Sequence, residues 1–231
     1  MIRTLILVVC LGAVCSLHAQ TFSEALAKAN LQMGQMDAIA YEVEYISYSN
    51  AQIMTRQAMQ IERVDGITYS ILDGVEAYQF DSTQVLLDHQ EKLILLNEGV
   101  ATNQANTGFD EQFEMLTQIQ ALAKSENRSV TNGTVTYTLQ FDEGTLKSLL
   151  VELDEDSGLF QRLLLEPAEP VANAIETEET PVTAFEVRVT NYDSSLTALS
   201  QPLSDYLQAQ NDQYFLQPEF SNYQYTNNYG Q

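Results

Sequence analysis

The stretch that most limits what this chain can become is Ile67–Leu96, ITYSILDGVEAYQFDSTQVLLDHQEKLILL. Ile67, Tyr69 and Ile71 alternate with Thr68 and Ser70, the period of a half-buried strand. Asp73-Gly74 follows, a dipeptide that accepts positive φ and favours a two-residue hairpin turn. Val75–Phe80 gives a second strand and Val85–Leu87 lies in a third. His89-Gln90-Glu91 turns the chain, and Lys92–Leu96 gives a fourth. Short alternating runs separated by turn residues predict an antiparallel meander.

The flanking sequence repeats this logic with helices inserted. Thr21 and Glu24 stand at capping-box spacing, and Phe22, Ala25, Leu26, Ala29, Met33 and Met36 follow at helical spacing. A helix is therefore expected over 22–36. Ile39–Tyr48 switches to period two, with Ile39, Tyr41, Val43 and Tyr45 on one side and Glu42 and Glu44 on the other. Ile53–Val64 returns as a long strand. Asn97–Gly108 reads as a polar loop. Phe109–Lys124 reads as a second helix, striped by Phe109, Phe113, Leu116, Ile119 and Leu122 or Ala123.

A second meander comes next. Val135, Tyr137, Leu139 and Phe141 alternate with threonines and Gln140. Leu146–Leu153, Leu159–Leu165 and Val182–Tyr192 complete it. Between the last two, Pro167–Pro181 is rich in proline and glutamate and predicts a mobile acidic loop. Leu203–Leu207 suggests a helical turn. The Asn/Tyr/Gln-rich residues 211–231 have no clear period, so 196–231 is expected as a partly disordered extension of a domain spanning 20–195.

Met1-Ile2-Arg3, the apolar run Leu5–Leu11 and the small residue Ala19 have the layout of a secretory signal peptide covering 1–19. A retained anchor is the first alternative. A lipoprotein is the second, because Cys10 and Cys15 lie nearby, but valines precede both where lipoprotein signals carry a small residue. Cleavage after Ala19 would leave 212 of the 231 residues, enough for one sizeable core. Both cysteines would leave with the leader, and with them any disulfide, Cys–metal site or thiol nucleophile. The expected location is the periplasm, with secretion or outer-membrane association as the alternative. The formal charge of −22 argues against attraction to nucleic acid or to an anionic membrane surface.

A search for chemistry returns little. His89 is the one histidine after the leader, and no G-x-S-x-G elbow accompanies it, so no catalytic residue is assigned. His89 itself is expected on an exposed turn. Histidine-based zinc binding lacks ligands. Asp154, Asp156 and Gly158 fit a hairpin turn better than a calcium loop, which would need a third oxygen ligand where Gly158 stands. Neither a metal nor a cofactor is expected, and a hydrolase is the least favoured class. Asn127-Arg128-Ser129 and Asn132-Gly133-Thr134 match the glycosylation pattern and carry little weight in an exported bacterial protein. What the sequence does offer is apolar surface: aromatic strand residues and methionine-bearing helices. That pattern fits either a filled core or an apolar cavity, for which adaptable methionine is well suited.

In element order, the chain resembles the LolA-like family of bacterial envelope proteins, which includes the carrier of outer-membrane lipoproteins and a domain of RseB. The resemblance spans about Phe22–Tyr192. It rests on Tyr41–Tyr48, on the Gly74-x-x-x-Tyr78-x-x-Asp81…Lys92 layout, and on Asp156-Ser157-Gly158-Leu159-Phe160-Gln161-Arg162-Leu163. It implies an α+β fold: a strongly curved antiparallel sheet of about ten strands, an unclosed barrel, wrapped around two main helices. It also implies a non-enzymatic monomer holding an acyl chain, lipid or lipoprotein in a hydrophobic cavity, with at most peripheral membrane contact and room for an envelope protein partner. The cavity residues expected from the pattern are Tyr41, Tyr45, Phe113, Met115, Leu116 and Tyr137. An interaction or sensor module with no small ligand is the alternative.

Overall fold

A computed structural model describes residues 20–80, 82–98, 110–171, 180–210 and 213–228. The expected signal peptide, most of the 97–108 loop and the middle of the expected acidic loop lie outside the described residues. Helix α1 (Phe22–Gln35) opens with the anticipated capping box: Glu24 N donates to Thr21 Oγ1 at 3.3 Å and Thr21 N to Glu24 Oε2 at 2.9 Å. At its other end Arg63 Nη2 donates to the orphan carbonyls of Met33 and, at 2.8 Å, Met36.

Six strands follow: β1 (Ala38–Ser49), β2 (Gln52–Val64), β3 (Ile67–Leu72), β4 (Val75–Phe80), β5 (Thr83–Asp88) and β6 (Leu93–Glu98). The Asp73-Gly74 turn has φ of 51° and 83°, the left-handed pair that a tight hairpin requires. Helix α2 (Asp110–Gln120) leads into β7 (Ser125–Thr131), β8 (Thr134–Gln140), β9 (Leu146–Asp154), β10 (Phe160–Pro167) and β11 (Ala184–Asp193).

Two differences from the expectation have physical causes. Helix α2 stops at Gln120 rather than Lys124, because Lys124 N already donates to Gln140 O at 2.8 Å and the chain has entered the sheet. Strand β7 was not anticipated. Every residue in it is exposed, and a strand with no buried face needs no apolar period.

The described residues of the tail form secondary structure that no local period in the sequence announced. A 3-10 turn (Leu203–Asp205) leads to the hairpin β12 (Leu207–Gln210) and β13 (Gln213–Leu216), and β14 (Gln224–Asn228) pairs parallel to β6. Among the described residues the main sheet therefore has twelve strands in the order β14-β6-β5-β4-β3-β2-β1-β11-β10-β9-β8-β7. All its other neighbours are antiparallel, and β1 joins β11 at the seam between the two meanders.

Register assigns each packed cluster to a face, because directly paired residues share a face and neighbours along a strand alternate. On the first face, Ile39, Tyr41, Val43, Tyr137, Val151 and Val189 pack under Phe22, Leu26 and Met33 of α1, and Leu116 of α2 joins them. Both helices thus lie against one face.

On the second face, Tyr69, Tyr78, Val85, Leu87, Ile94 and Leu96 of β3–β6 are covered by Tyr206, Leu207 and further aromatics of the tail. A carboxylate lies within this cover. Buried Glu76 has Tyr206 OH at 3.2 Å and His89 Nε2 at 3.0 Å from its Oε1, and Tyr78 OH at 3.2 Å from its Oε2. His89 Nδ1 lies 2.8 Å from Tyr223 OH. His89 is therefore not the free turn residue that its sequence position suggested. It links the β5–β6 turn to the tail.

Candidate functional site

The six residues expected in a cavity divide into separate environments. Tyr41 and Tyr137 are 6% and 0% exposed and, with Leu116, belong to the filled core under α1. The Tyr137 hydroxyl donates to Gln20 O at 3.1 Å, and burial drives the Tyr41 hydroxyl well above its ordinary pKa. Tyr45 and Met115 are 39% and 49% exposed and lie outside that core. Phe113 lies outside the residues whose side chains are described. The alternation of β1 correctly placed Tyr41 and Tyr45 on one face. It carried no information on where the helical cover ends.

Beyond that cover the first face stays apolar. Register carries it from Met59 of β2 to Leu72 and Val75, and from Ile61 through Ser70, Ala77 and Leu86 to Leu95. Leu93 lies alongside, opposite Asp88. These β3–β6 side chains belong to neither packed cluster. They are half-buried, and Val75 is exposed. On the seam strands, exposed Phe185 and Tyr45 continue the same face. The apolar field is bounded on β3–β6 by a polar row of Thr68, Gln79, Gln84 and Asn97. Within that row Gln79 Nε2 is buried and has no hydrogen-bond acceptor.

The sequence held a signal for this field. Leu72, Ala77, Leu86, Leu93 and Leu95 are the out-of-phase apolar residues of strands whose in-phase residues are Tyr69, Tyr78, Val85, Leu87, Ile94 and Leu96. Strands apolar on both sides require cover on both faces. The tail supplies one cover, and no described cluster supplies the other.

The candidate ion ligands give a different answer. Asp154 Oδ1 accepts from Ser157 N at 2.8 Å and Ser157 Oγ at 2.7 Å, so the carboxylate stabilises a hairpin turn. Those bonds hold its pKa below the ordinary carboxylate value. No cluster of metal-ligating side chains occurs among the described residues.

No family model matches the chain, and no curated protein matches its sequence. Similar solved structures include the MucA/MucB complex of Pseudomonas aeruginosa, at 14% identity and a TM-score of 0.41, covering 84% of this chain and 62% of that one. This chain thus spans less than two thirds of that relative. The lipoprotein LppX of Mycobacterium tuberculosis is similar at 9% identity and a TM-score of 0.41, over 77% of this chain and 99% of that one. A LolA superfamily protein of Nitrosomonas europaea is similar at 8% identity and a TM-score of 0.30, over 75% of this chain and 93% of that one.

Proposed function

We propose that this chain is a non-enzymatic binding protein of the bacterial envelope that holds the acyl chain of a lipid or lipoprotein on the part of its first sheet face that no described cluster covers. The observation that carries the reading is the apolar field formed by Leu72, Val75, Ala77, Leu86, Leu93 and Leu95, which continues the α1 core and belongs to no packed cluster. Burial of an acyl chain contributes about 0.8 kcal/mol per methylene, so several methylenes on this field would give measurable affinity without any polar contact. Gln79 Nε2 supplies a donor for a carbonyl at the polar end of such a ligand. The binding residues in this reading are Tyr45, Val75 and Phe185, with Met115 at the margin. Tyr41, Tyr137 and Leu116 support the field from the core.

The test is uptake of an environment-sensitive fluorescent fatty acid by the folded, leaderless protein. Val75→Asp and Phe185→Asp should each weaken uptake about tenfold, because a charge would have to be desolvated against the chain. Glu42→Ala, on the opposite face, should leave uptake unchanged. Absence of saturable uptake by the wild type, or equal uptake by all three variants, removes the lipid reading and leaves the field as a protein-contact surface.

A further inference from the structure

A second site, independent of the apolar field, lies on the opposite face at the seam. Register sets Arg188 of β11 directly against Arg162 of β10, two like charges that would repel. Glu186, 2% exposed, relieves the repulsion. Its Oε1 accepts from Nε of both arginines at 2.6 Å. Its Oε2 accepts from Arg188 Nη2 at 3.2 Å and from the Tyr48 hydroxyl. Burial pushes the Glu186 carboxyl up, but the bonds from Arg188, Tyr48 and Arg162 outweigh it and hold the group below the ordinary carboxylate pKa.

The two arginines are engaged differently. Arg188 is chelated through Nε and Nη2. Arg162 is held through Nε alone. Its Nη1 forms an ion pair with Glu152 Oε1 at 3.6 Å, longer than a hydrogen bond. The buried carboxylate fixes the stem of Arg162, and the terminal nitrogens are left beside Glu152 at ion-pair rather than hydrogen-bond distance.

That guanidinium lines a cleft of about 490 Å³ between the seam strands and the segment that starts at Pro167. A cleft this size lies in the range that accommodates small organic molecules. Leu164, Ala184, Pro167 and Pro170 give it apolar walls, and Lys147 adds a second cation. The carboxylates at the cleft already have partners: Glu166 Oε2 accepts from Ser148 Oγ at 2.7 Å and sits 3.4 Å from Lys147 Nζ. Donors are therefore in surplus beside an apolar wall.

We propose that this cleft binds a carboxylate carried on a compact apolar body, the carboxylate taken by the paired Nη groups of Arg162 and the body by Leu164 and the prolines. Paired Arg–carboxylate bonds are among the stronger hydrogen bonds available to a side chain. The ligand is a monoanion, because a second negative charge would face Glu152, Glu166 and Glu186. It is small, because the −22 protein repels polyanions at long range. Glu186 is the positioning residue. Two sources carry this chemistry: a free organic acid and the C-terminus of a peptide ending in an apolar residue.

The experiment titrates the full mature chain with phenylpropionate, phenylpropionamide, and the tripeptide Ala-Ala-Leu with a free or an amidated C-terminus, followed by amide chemical shifts. Phenylpropionate should bind saturably and shift cleft residues, with the amide at least about tenfold weaker. Binding of the free but not the amidated tripeptide assigns the site to peptide termini, and its exclusion assigns the site to small acids. Arg162→Gln should weaken the acid about tenfold. Should that variant unfold, Ala168→Trp, which fills the cleft and deletes no side-chain hydrogen bond, must abolish binding instead. Equal binding of acid and amide, unchanged binding in Ala168→Trp, or no saturable binding of any probe overturns the proposal. Phe185→Asp must leave phenylpropionate binding intact, which separates this site from the apolar field.

Discussion

His89→Ala is expected to destabilise the protein, although a turn histidine ordinarily tolerates truncation. The substitution deletes the contact of Nε2 with Glu76 at 3.0 Å and that of Nδ1 with Tyr223 at 2.8 Å. A hydrogen bond to a charged partner contributes roughly 1.5–3 kcal/mol and an ordinary one about 1 kcal/mol. The imidazole is 35% exposed, so water replaces part of what is lost, and the net cost should be about 2 kcal/mol. For a chain of this length that corresponds to a melting-temperature drop of about 5 °C. Tyr223→Phe removes only the second contact and should cost about 1 kcal/mol or less. Urea melts give the magnitude. Hydrogen exchange gives the location, which should be the Tyr206–Leu207 segment, since Tyr206 shares Glu76 with His89. If His89→Ala lies within about 0.5 kcal/mol of wild type and leaves exchange at Tyr206 unchanged, the His89 contacts contribute nothing and the tail is held by its apolar burial and its other hydrogen bonds.

Leu116→Ala in α2 should cost roughly 2–5 kcal/mol by truncating a core side chain, whereas Leu122→Ala just beyond the helix, 76% exposed, should stay within about 0.5 kcal/mol. Paired denaturant melts decide this. Alkaline stability should follow Tyr69, whose hydroxyl is pushed up to about 12 by burial and by the charges of Glu76 and Glu62. A raised folded-state value means that its contribution is intact below the ordinary tyrosine value near 10 and declines as pH rises through about 12. Tyrosinate absorbance and the unfolding midpoint, followed together with pH, test this. Ionisation of every tyrosine near the ordinary value in the folded protein would contradict it.

The strands were legible where one face is buried and the other is wet, because that contrast writes a period of two. Val135, Tyr137 and Leu139 in β8 and Ile39, Tyr41 and Val43 in β1 are such cases. Strand β7 was illegible because its residues are exposed on both sides. The tail was illegible for a different reason. Its aromatics are spaced for contact with a preformed surface rather than for a local period, so Tyr206, Phe220 and Tyr223 gain meaning only against Tyr69 and Tyr78. The candidate site was half legible. Composition announced an apolar field, but which aromatics fill the core and which border the open face depends on the length of α1. The cleft was not legible at all. Arg162, Glu186 and Tyr48 converge only through the β1–β11 and β10–β11 pairings.

The β1–β11 seam has a bearing on how the chain reaches its fold. Apart from β10–β11, which spans the acidic loop, the remaining pairings in the two meanders join consecutive strands across short turns, whereas the seam sets Val43 beside Val189. Loop-closure entropy must be met before any of those pairs can form, and it grows only slowly with the length enclosed. Each meander can assemble from near neighbours while the seam waits. Yet α1 finds its full cover only when β1 and β8–β11 lie side by side, since its core draws on both. The slow, long-range step and the completion of the main core are therefore the same event.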